Sequence, residues 1–241
     1  MKSAPSSSIE DYVKVIYTFT EWQDRPITSS QLAARLGVAN SSVSEMVRKL
    51  REQGLVDHRP YGAVRLTEEG RALALTMVRR HRLLETFLVR ELGYRWDEVH
   101  DEAEQIEHAV SDLFVDRLSA KLGHPVRDPH GDPIPTADGR IERPSAHVLS
   151  ELDAGHRGRV TRISDDNPEL LRYLAAERIV LDADLEVVRR KPFGGPLVVR
   201  IGGTGDAREV DVADEIAEAV WVHSDTVHAG CTLAASAHHG G

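Results

Sequence analysis

The sequence predicts a mainly α fold class with a small β domain at its C-terminal end, and three observations carry that prediction. Apolar residues recur at helical spacing through the first half of the chain. Pro, Gly, His and Asp crowd residues 123–145, and beyond Gly155 short β-type runs alternate with turn residues. At 241 residues the chain suits two or three compact domains, each able to bury a core. The expected boundaries are 1–70, 71–144 and 145–223, followed by a small, polar tail at 224–241 that is expected to be disordered.

In chain order, "IEDYVKVIYTFTEW" sets Ile9, Val13, Ile16 and Tyr17 on one helical stripe, with Asp11 lying away from it. The next helix is capped at Thr28 or Ser29, carries Leu32, Ala33 and Leu36 on its apolar face, and stops at Gly37, a residue suited to the left-handed turn. A third starts at Asn40 or Ser41, buries Val43, Met46, Val47 and Leu50, and ends at Gly54. "LVDHR" and "AVRLT" then pair as strands across Pro60, Tyr61 and Gly62. Helix, tight turn, helix and hairpin make a winged helix-turn-helix.

Thr67 is a good N-cap for a long helix through Leu73, Met77, Leu84 and Leu88, and one further helix is expected from about Trp96 to Leu122. The Pro- and Gly-rich stretch after Gly123 is expected to be an ordered loop or linker. "RGRVTRI", "RIVLD", "LEVVRRK", "PLVVRIGG" and "REVDVADEIAEAVWVH" supply five expected short strands, which a small barrel would close.

Composition narrows the function. The hydrophobic fraction is 41% and the charged fraction 29%, no apolar run approaches the roughly 20 residues of a membrane span, and Met1–Ser8 lacks a signal peptide's apolar core. The expected location is the cytoplasm, with no membrane partner. The single cysteine, Cys231, cannot form an internal disulfide, so a metal would be held by nitrogen and oxygen. A net charge of −9 excludes an evenly basic nucleic-acid binder but leaves room for a small DNA-contacting module.

Two helices carry metal-ligand types at i, i+4: His81 with Glu85, and His100 with Glu104, the latter followed by Glu107 and His108. One such pair is commonly a solvated surface contact. Two helices with the pattern on faces expected to meet are different, because carboxylates gathered on a buried face repel unless a cation lies between them. Carboxylate and imidazole without thiolate suit Mn(II) and Fe(II) by ligand type, although raw affinity favours Zn(II) or Cu(II). No His-Glu-x-x-His, Gly-x-Ser-x-Gly or phosphate-cradling loop is present, so no enzyme is expected. On the recognition helix, Ser41, Ser42 and Ser44 lie in the turn that faces base edges in this motif, while Arg48, Lys49 and Arg51 reach toward phosphates.

"RRHRLLETFL", "VHDEAEQIEH" and "GDPIP", in that order, resemble the most recognisable stretches of the diphtheria-toxin-repressor family of metal-dependent transcriptional repressors. The resemblance implies a winged helix-turn-helix, a helical dimerisation and metal-binding domain, and a C-terminal SH3-like barrel. It implies a homodimer that binds a palindromic operator in double-stranded DNA when loaded with metal, and so controls metal-homeostasis genes; metal, with no small organic ligand, is the corepressor. One metal site would use His81, Glu85 and His100, completed by Asp166 and Glu169 from "DDNPE"; the other would use Asp11, Glu104, Glu107 and His108. Iron-sensing members typically have Met and Cys where this chain has Asp11 and Glu104, so the oxygen ligands, like "SSVSEM", resemble the manganese-sensing branch. Mn(II) is the expected ion and control of uptake genes the expected role, with an Fe(II)-dependent repressor of iron uptake and storage as the alternative. Zn(II), Co(II) or Cd(II) is expected to substitute in vitro. Short two-domain manganese sensors have Glu where this chain has Lys14, which implies two separated sites here in place of a closely spaced pair.

Overall fold

The computed structural model describes residues 6–23, 25–59, 62–203 and 206–224. They gather into two compact units, one holding the residues to Leu84 with Ala103–Val126 and Ile134–Ile141, the other Glu85–Glu102, Arg127–Pro133 and the residues from Glu142 onward.

The first unit begins with α1 (Ser7–Glu21), α2 (Ser29–Leu36) and α3 (Asn40–Glu52). The Thr28 hydroxyl caps α2 by accepting from the Gln31 N–H, while the Gln31 side chain accepts in return from the Thr28 backbone. Gly37, at φ +64°, ends that helix, and Val38 donates back to the Ala33 carbonyl. Strands β1 (Val56–His58) and β2 (Val64–Leu66) pair antiparallel, Asp57 opposite Arg65, and Ile27 bridges to Val64 beside them. Pro60 and Tyr61 of the hairpin turn lie outside the described residues, as does the C-terminal stretch from residue 225 for which a disordered tail is expected. The predicted stripe of α1 is buried: Ile9, Val13, Ile16 and Tyr17 pack with Leu32, Val43, Val47 and Leu50. Because α1 and the recognition helix α3 share this core, neither can shift without the other.

α4 (Glu68–Leu92) follows, with the Thr67 hydroxyl accepting from the Gly70 N–H at 3.1 Å as expected of a cap. The single helix predicted for Trp96–Leu122 is two, α5 (Val99–Ile106) and α6 (Asp112–Lys121). Ser111 causes the break: with extended backbone it caps α6, accepting from the Phe114 N–H. Glu107 and His108 therefore sit at the end of α5 and not inside a helix.

In the second unit, β3 (His147–Val148), β4 (Arg157–Ile163), β5 (Asp184–Arg190), β6 (Leu197–Ile201), β7 (Arg208–Val212) and β8 (Val220–Ser224) form an antiparallel sheet of order β3-β8-β4-β5-β6-β7. Register shifts in β4 against β8 and in β5 against β6 curl it around Leu149, Val160, Ile163, Val187, Val199 and Val220. "RIVLD" is not a strand. It follows α7 (Pro168–Ala176), an element the strand pattern hid, and Arg178 and Asp182 take positive φ at either end of a turn whose Ile179 N–H returns to the Leu174 carbonyl. α7 carries its own start signal, Asn167 accepting from the Glu169 and Leu170 N–H groups, with Pro168 in the first turn. A short helix, α8 (Asp214–Ala217), precedes β8.

The loop Asp128–Pro133 is ordered by backbone contact. The Ile163 N–H donates to the His130 carbonyl at 2.9 Å, and Gly131, at φ +93°, lies so close to β4 that an added Cβ would stand 2.0 Å from the Thr161 carbonyl oxygen. Gly131→Ala combines that clash with a disfavoured backbone, and is expected to destabilise the unit by about 2 kcal/mol or more. Thermal denaturation checks this; an unchanged melting temperature would show that the loop yields freely.

Candidate metal centres

Two clusters of ligand-type side chains form, one in each unit. In the first unit, α1 contributes Glu10, Asp11 and Lys14, α4 contributes His81, and the end of α5 contributes Glu104, Glu107 and His108. Ligand atoms of Asp11, Glu107 and His108 lie within 4.8 Å of one another. His108 spans two α1 carboxylates, Nε2 at 2.7 Å from Asp11 Oδ1 and Nδ1 at 2.8 Å from Glu10 Oε2. Glu107 is fully buried; its Oε2 lies 2.7 Å from His81 Nδ1, and its Oε1 accepts from the Lys14 ammonium at 2.5 Å. Lys14, 6% exposed, also donates to Glu104 Oε1 at 3.2 Å.

The ionisation states follow from this packing. Burial would raise the Glu107 carboxyl, but His81 and Lys14 outweigh it and hold the pKa below its ordinary value. Burial would likewise lower Lys14, and Glu107 and Glu104 reverse that, so the ammonium stays charged. His108 is shifted upward once Glu10, Asp11 and Glu107 overcome its desolvation. The expectation that these carboxylates face one another uncompensated until an ion arrives therefore needs correction: Lys14 already stands between Glu104 and Glu107.

Further along α1, the Arg82 guanidinium forks onto Glu21, 3.1 Å to Oε1 and 2.5 Å to Oε2, with both residues buried. That bidentate pair ties the last turn of α1 to α4.

In the second unit the centre is Glu85, 1% exposed. His100 Nδ1 lies 3.4 Å from Glu85 Oε1 and 3.0 Å from Asp165 Oδ2. From the loop, His130 Nδ1 approaches Glu85 Oε2 at 3.8 Å, while its Nε2 lies 2.7 Å from the Trp96 carbonyl. Ligand atoms of Glu85, Asp128 and His130 converge within 4.8 Å, and so do those of Glu85, His100 and Asp165. His81 precedes Glu85 by one turn of α4. Among the described residues these converging groups include neither Asp166 nor Glu169. Asp166 is exposed and accepts from the Ser164 hydroxyl at 3.1 Å, and Glu169 is exposed on the first turn of α7. The carboxylate aimed at His100 is Asp165, one residue earlier, a difference of one position that the sequence pattern "SDDNPE" does not resolve. The sequence does not flag His130 and Asp128, because a His in a Pro- and Gly-rich loop has no periodicity to mark it.

The donors fit a divalent ion. They are all imidazole nitrogens and carboxylate oxygens, and the buried His130 Nδ1 makes no hydrogen bond among the described residues. On α3, Ser41, Ser42, Ser44, Arg48 and Lys49 are exposed, Arg48 pairing with Glu52 at 2.7 Å.

A winged helix-turn-helix whose first helix carries part of a nitrogen-and-oxygen metal cluster defines a metal-responsive DNA-binding regulator. The comparisons agree: residues 6–64 match the iron dependent repressor N-terminal DNA binding domain, residues 67–136 the iron dependent repressor metal binding and dimerisation domain, and residues 147–224 the FeoA domain. The iron-dependent repressor IdeR of Mycobacterium tuberculosis is 38% identical over 228 residues, covering 88% of this chain and 95% of that protein. The chain belongs to the diphtheria-toxin-repressor family of metal-dependent transcriptional repressors, DNA-binding proteins and not enzymes. Among solved structures, a manganese-dependent transcriptional repressor in complex with manganese is 55% identical, with a TM-score of 0.86 over 90% of this chain and 99% of that one. The manganese regulator SloR is 32% identical, with a TM-score of 0.76 over 92% and 100%. Among the described residues no helix is long and apolar enough to cross a membrane.

The protonation of His100 has a measurable consequence. Burial would lower its pKa, but hydrogen bonds and charge from Asp165 and Glu85 raise it to about 11, so at neutral pH the ring is an imidazolium. Its ion pairs stabilise the fold fully below the unfolded value near 6.5, and that contribution is lost as pH rises through the folded value. An imidazole ligates only in its neutral form, so if His100 takes part in binding Mn(II), about one proton per ion is expelled there at pH 7. Calorimetric titrations in buffers of differing ionisation enthalpy measure this; heats independent of buffer would exclude His100 as a ligand.

Proposed function

We propose that this chain is a Mn(II)-dependent repressor of metal-uptake genes, acting in the cytoplasm as a homodimer on a palindromic operator. The observation that carries the reading is the oxygen-rich donor set of the first-unit cluster, with Asp11 on α1 set against Glu107 and His108 at the end of α5. Hard carboxylate donors without thiolate or thioether suit Mn(II), and the relative whose name carries manganese, at 55% identity, supports the same ion. Fe(II) is the second reading, supported by the iron-dependent relatives; Zn(II), Co(II) and Cd(II) are expected to bind in vitro, and structures of ScaR bound to Cd(II) and to Zn(II) support that breadth.

In this reading Asp11, Glu107 and His108, with Glu104 beside them, form the activating site, and His81, Glu85 and His100 with Asp165 form the supporting one. When bound, a divalent ion would supply positive charge between Asp11 and Glu107, beside His108. Asp11 then fixes the N-terminal half of α1 to the end of α5, while Glu21 and Arg82 fix its C-terminal half to α4. Since α1 shares its core with α3, the recognition helix is oriented with it. In each half-site Ser41, Ser42 and Ser44 would face base edges, and Arg48 and Lys49 would neutralise phosphates.

Fluorescence anisotropy of a labelled operator, titrated with Mn(II) and with anaerobic Fe(II), tests the proposal. Mn(II) is expected to switch binding on, and Asp11→Ala to abolish the switch while leaving a folded dimer, because the Asp11 side chain is 40% exposed and its loss leaves no buried charge uncompensated. Equal operator binding with a chelator present would refute metal dependence. Activation by Fe(II) at lower free concentration than Mn(II) would favour the iron reading.

A further inference from the structure

We propose that Glu45 is a base-reading residue of α3, its carboxylate accepting a hydrogen bond from the N4 amino group of a cytosine in each half-site of the operator. The inference rests on the DNA-binding part of the repressor reading and concerns which base the recognition helix selects. Along α3 the buried stripe is Val43, Val47 and Leu50. At about 100° per residue, the positions farthest from that stripe are Ser41, Glu45, Arg48 and Glu52, which form the outer row of the helix. All four are exposed. Glu45 is the sixth residue of α3, within the N-terminal half that meets base edges in a helix-turn-helix.

An acidic side chain in that row opposes the approach of phosphates unless it is neutralised within the helix or meets a donor on the DNA. Arg48, the next residue of the row, turns away from it onto Glu52 at 2.7 Å, and among the described residues Glu45 enters no ion pair. Its neighbours Ser41, Ser42 and Ser44 are small, and the Ser44 hydroxyl donates back to the Asn40 carbonyl at 3.0 Å. Small neighbours let the helix sit close in the major groove, with Glu45 as the long side chain of its N-terminal half. An ionised carboxylate only accepts hydrogen bonds. In the major groove the acceptors N7 and O6 of guanine and O4 of thymine repel it, and adenine sets N7 beside its amino group. Cytosine offers the N4 amino group with no acceptor of its own on that edge, so C·G is the pair that Glu45 selects.

The test is selection of sites from a random double-stranded DNA library by the full chain with Mn(II), run for wild type, Glu45→Ala and Glu45→Gln. Because the side chain is exposed and apart from the buried stripe, both variants are expected to fold, which circular dichroism checks. Wild type should enrich a C·G pair at one position in each half-site. Glu45→Ala should lose the preference at that position alone, and Glu45→Gln should move it toward A·T, since an amide pairs with adenine N6 and N7. On the selected site, replacing that C·G by T·A should weaken wild-type binding by about tenfold in anisotropy and leave Glu45→Ala nearly unaffected. A purely electrostatic role for Glu45 would change affinity for every sequence and move no base preference. Two results overturn the inference: the same motif enriched by wild type and Glu45→Ala, or a lost preference for a pair other than C·G. Wild type that enriches no site at all refutes sequence-specific DNA binding itself, and with it the broader reading.

Discussion

Glu107 is the constraint on which the first unit turns. A carboxylate with no solvent exposure is stable only if its oxygens find hydrogen-bonding or charged partners, and here they are met from different elements, Lys14 on α1 and His81 on α4. Three helices are thereby tied at one side chain. The break between α5 and α6 follows the same requirement, because ending α5 at Ile106 lets Glu107 and His108, adjacent in sequence, both turn toward α1. A continuous helix would have set neighbouring side chains about 100° apart and sent one of them elsewhere.

Glu85 plays the corresponding part in the second unit, but its compensation is of a different kind. Its neighbours are imidazoles, His100 and His130, the latter raised to about 9 once the charges of Glu85, Asp165 and Asp128 outweigh burial. An imidazolium that loses its proton becomes a ligand, whereas an ammonium at neutral pH does not. The metal-free balance in this unit is thus made from groups that can convert into donors. The Lys14 side of the other cluster is made from one that cannot.

Most of the fold was legible because its signals are local. Thr28, Gly37 and Thr67 cap or stop helices where their chemistry says they should, and the stripe Ile9, Val13, Ile16, Tyr17 is buried as its spacing implies. The misses arose where a local signal was overlooked or a distant contact decided. Ser111 and Asn167 are ordinary caps that longer apolar patterns masked, hiding the α5–α6 break and all of α7. The ligand types on α4 and α5 were visible as i, i+4 pairs, and Asp11 was identified through family resemblance. Asp165 and His130 are not visible in the sequence, because backbone geometry aims Asp165 at His100 through the β4–α7 connection and His130 at Glu85 through the close approach at Gly131. Lys14 was noted only as a departure from a pattern; nothing in its spacing tells a buried ammonium from a solvated one.

The two clusters also differ in what they can report. Affinity for nitrogen and oxygen donors rises from Mn(II) toward Cu(II), so a regulator that answered to affinity alone would respond to the wrong ions. Among the described residues the groups that converge on Glu85 include none of α1, so an ion held by Glu85, His100 and Asp165 would have no direct hold on the helix that shares a core with α3. In the proposed reading, Asp11 would tie an ion to α1 itself. In that reading, discrimination would fall on whether an ion accepts Asp11, Glu107 and His108 together beside a fixed ammonium. That condition is set by charge and room, and a soft ion that prefers thiolate gains least from meeting it.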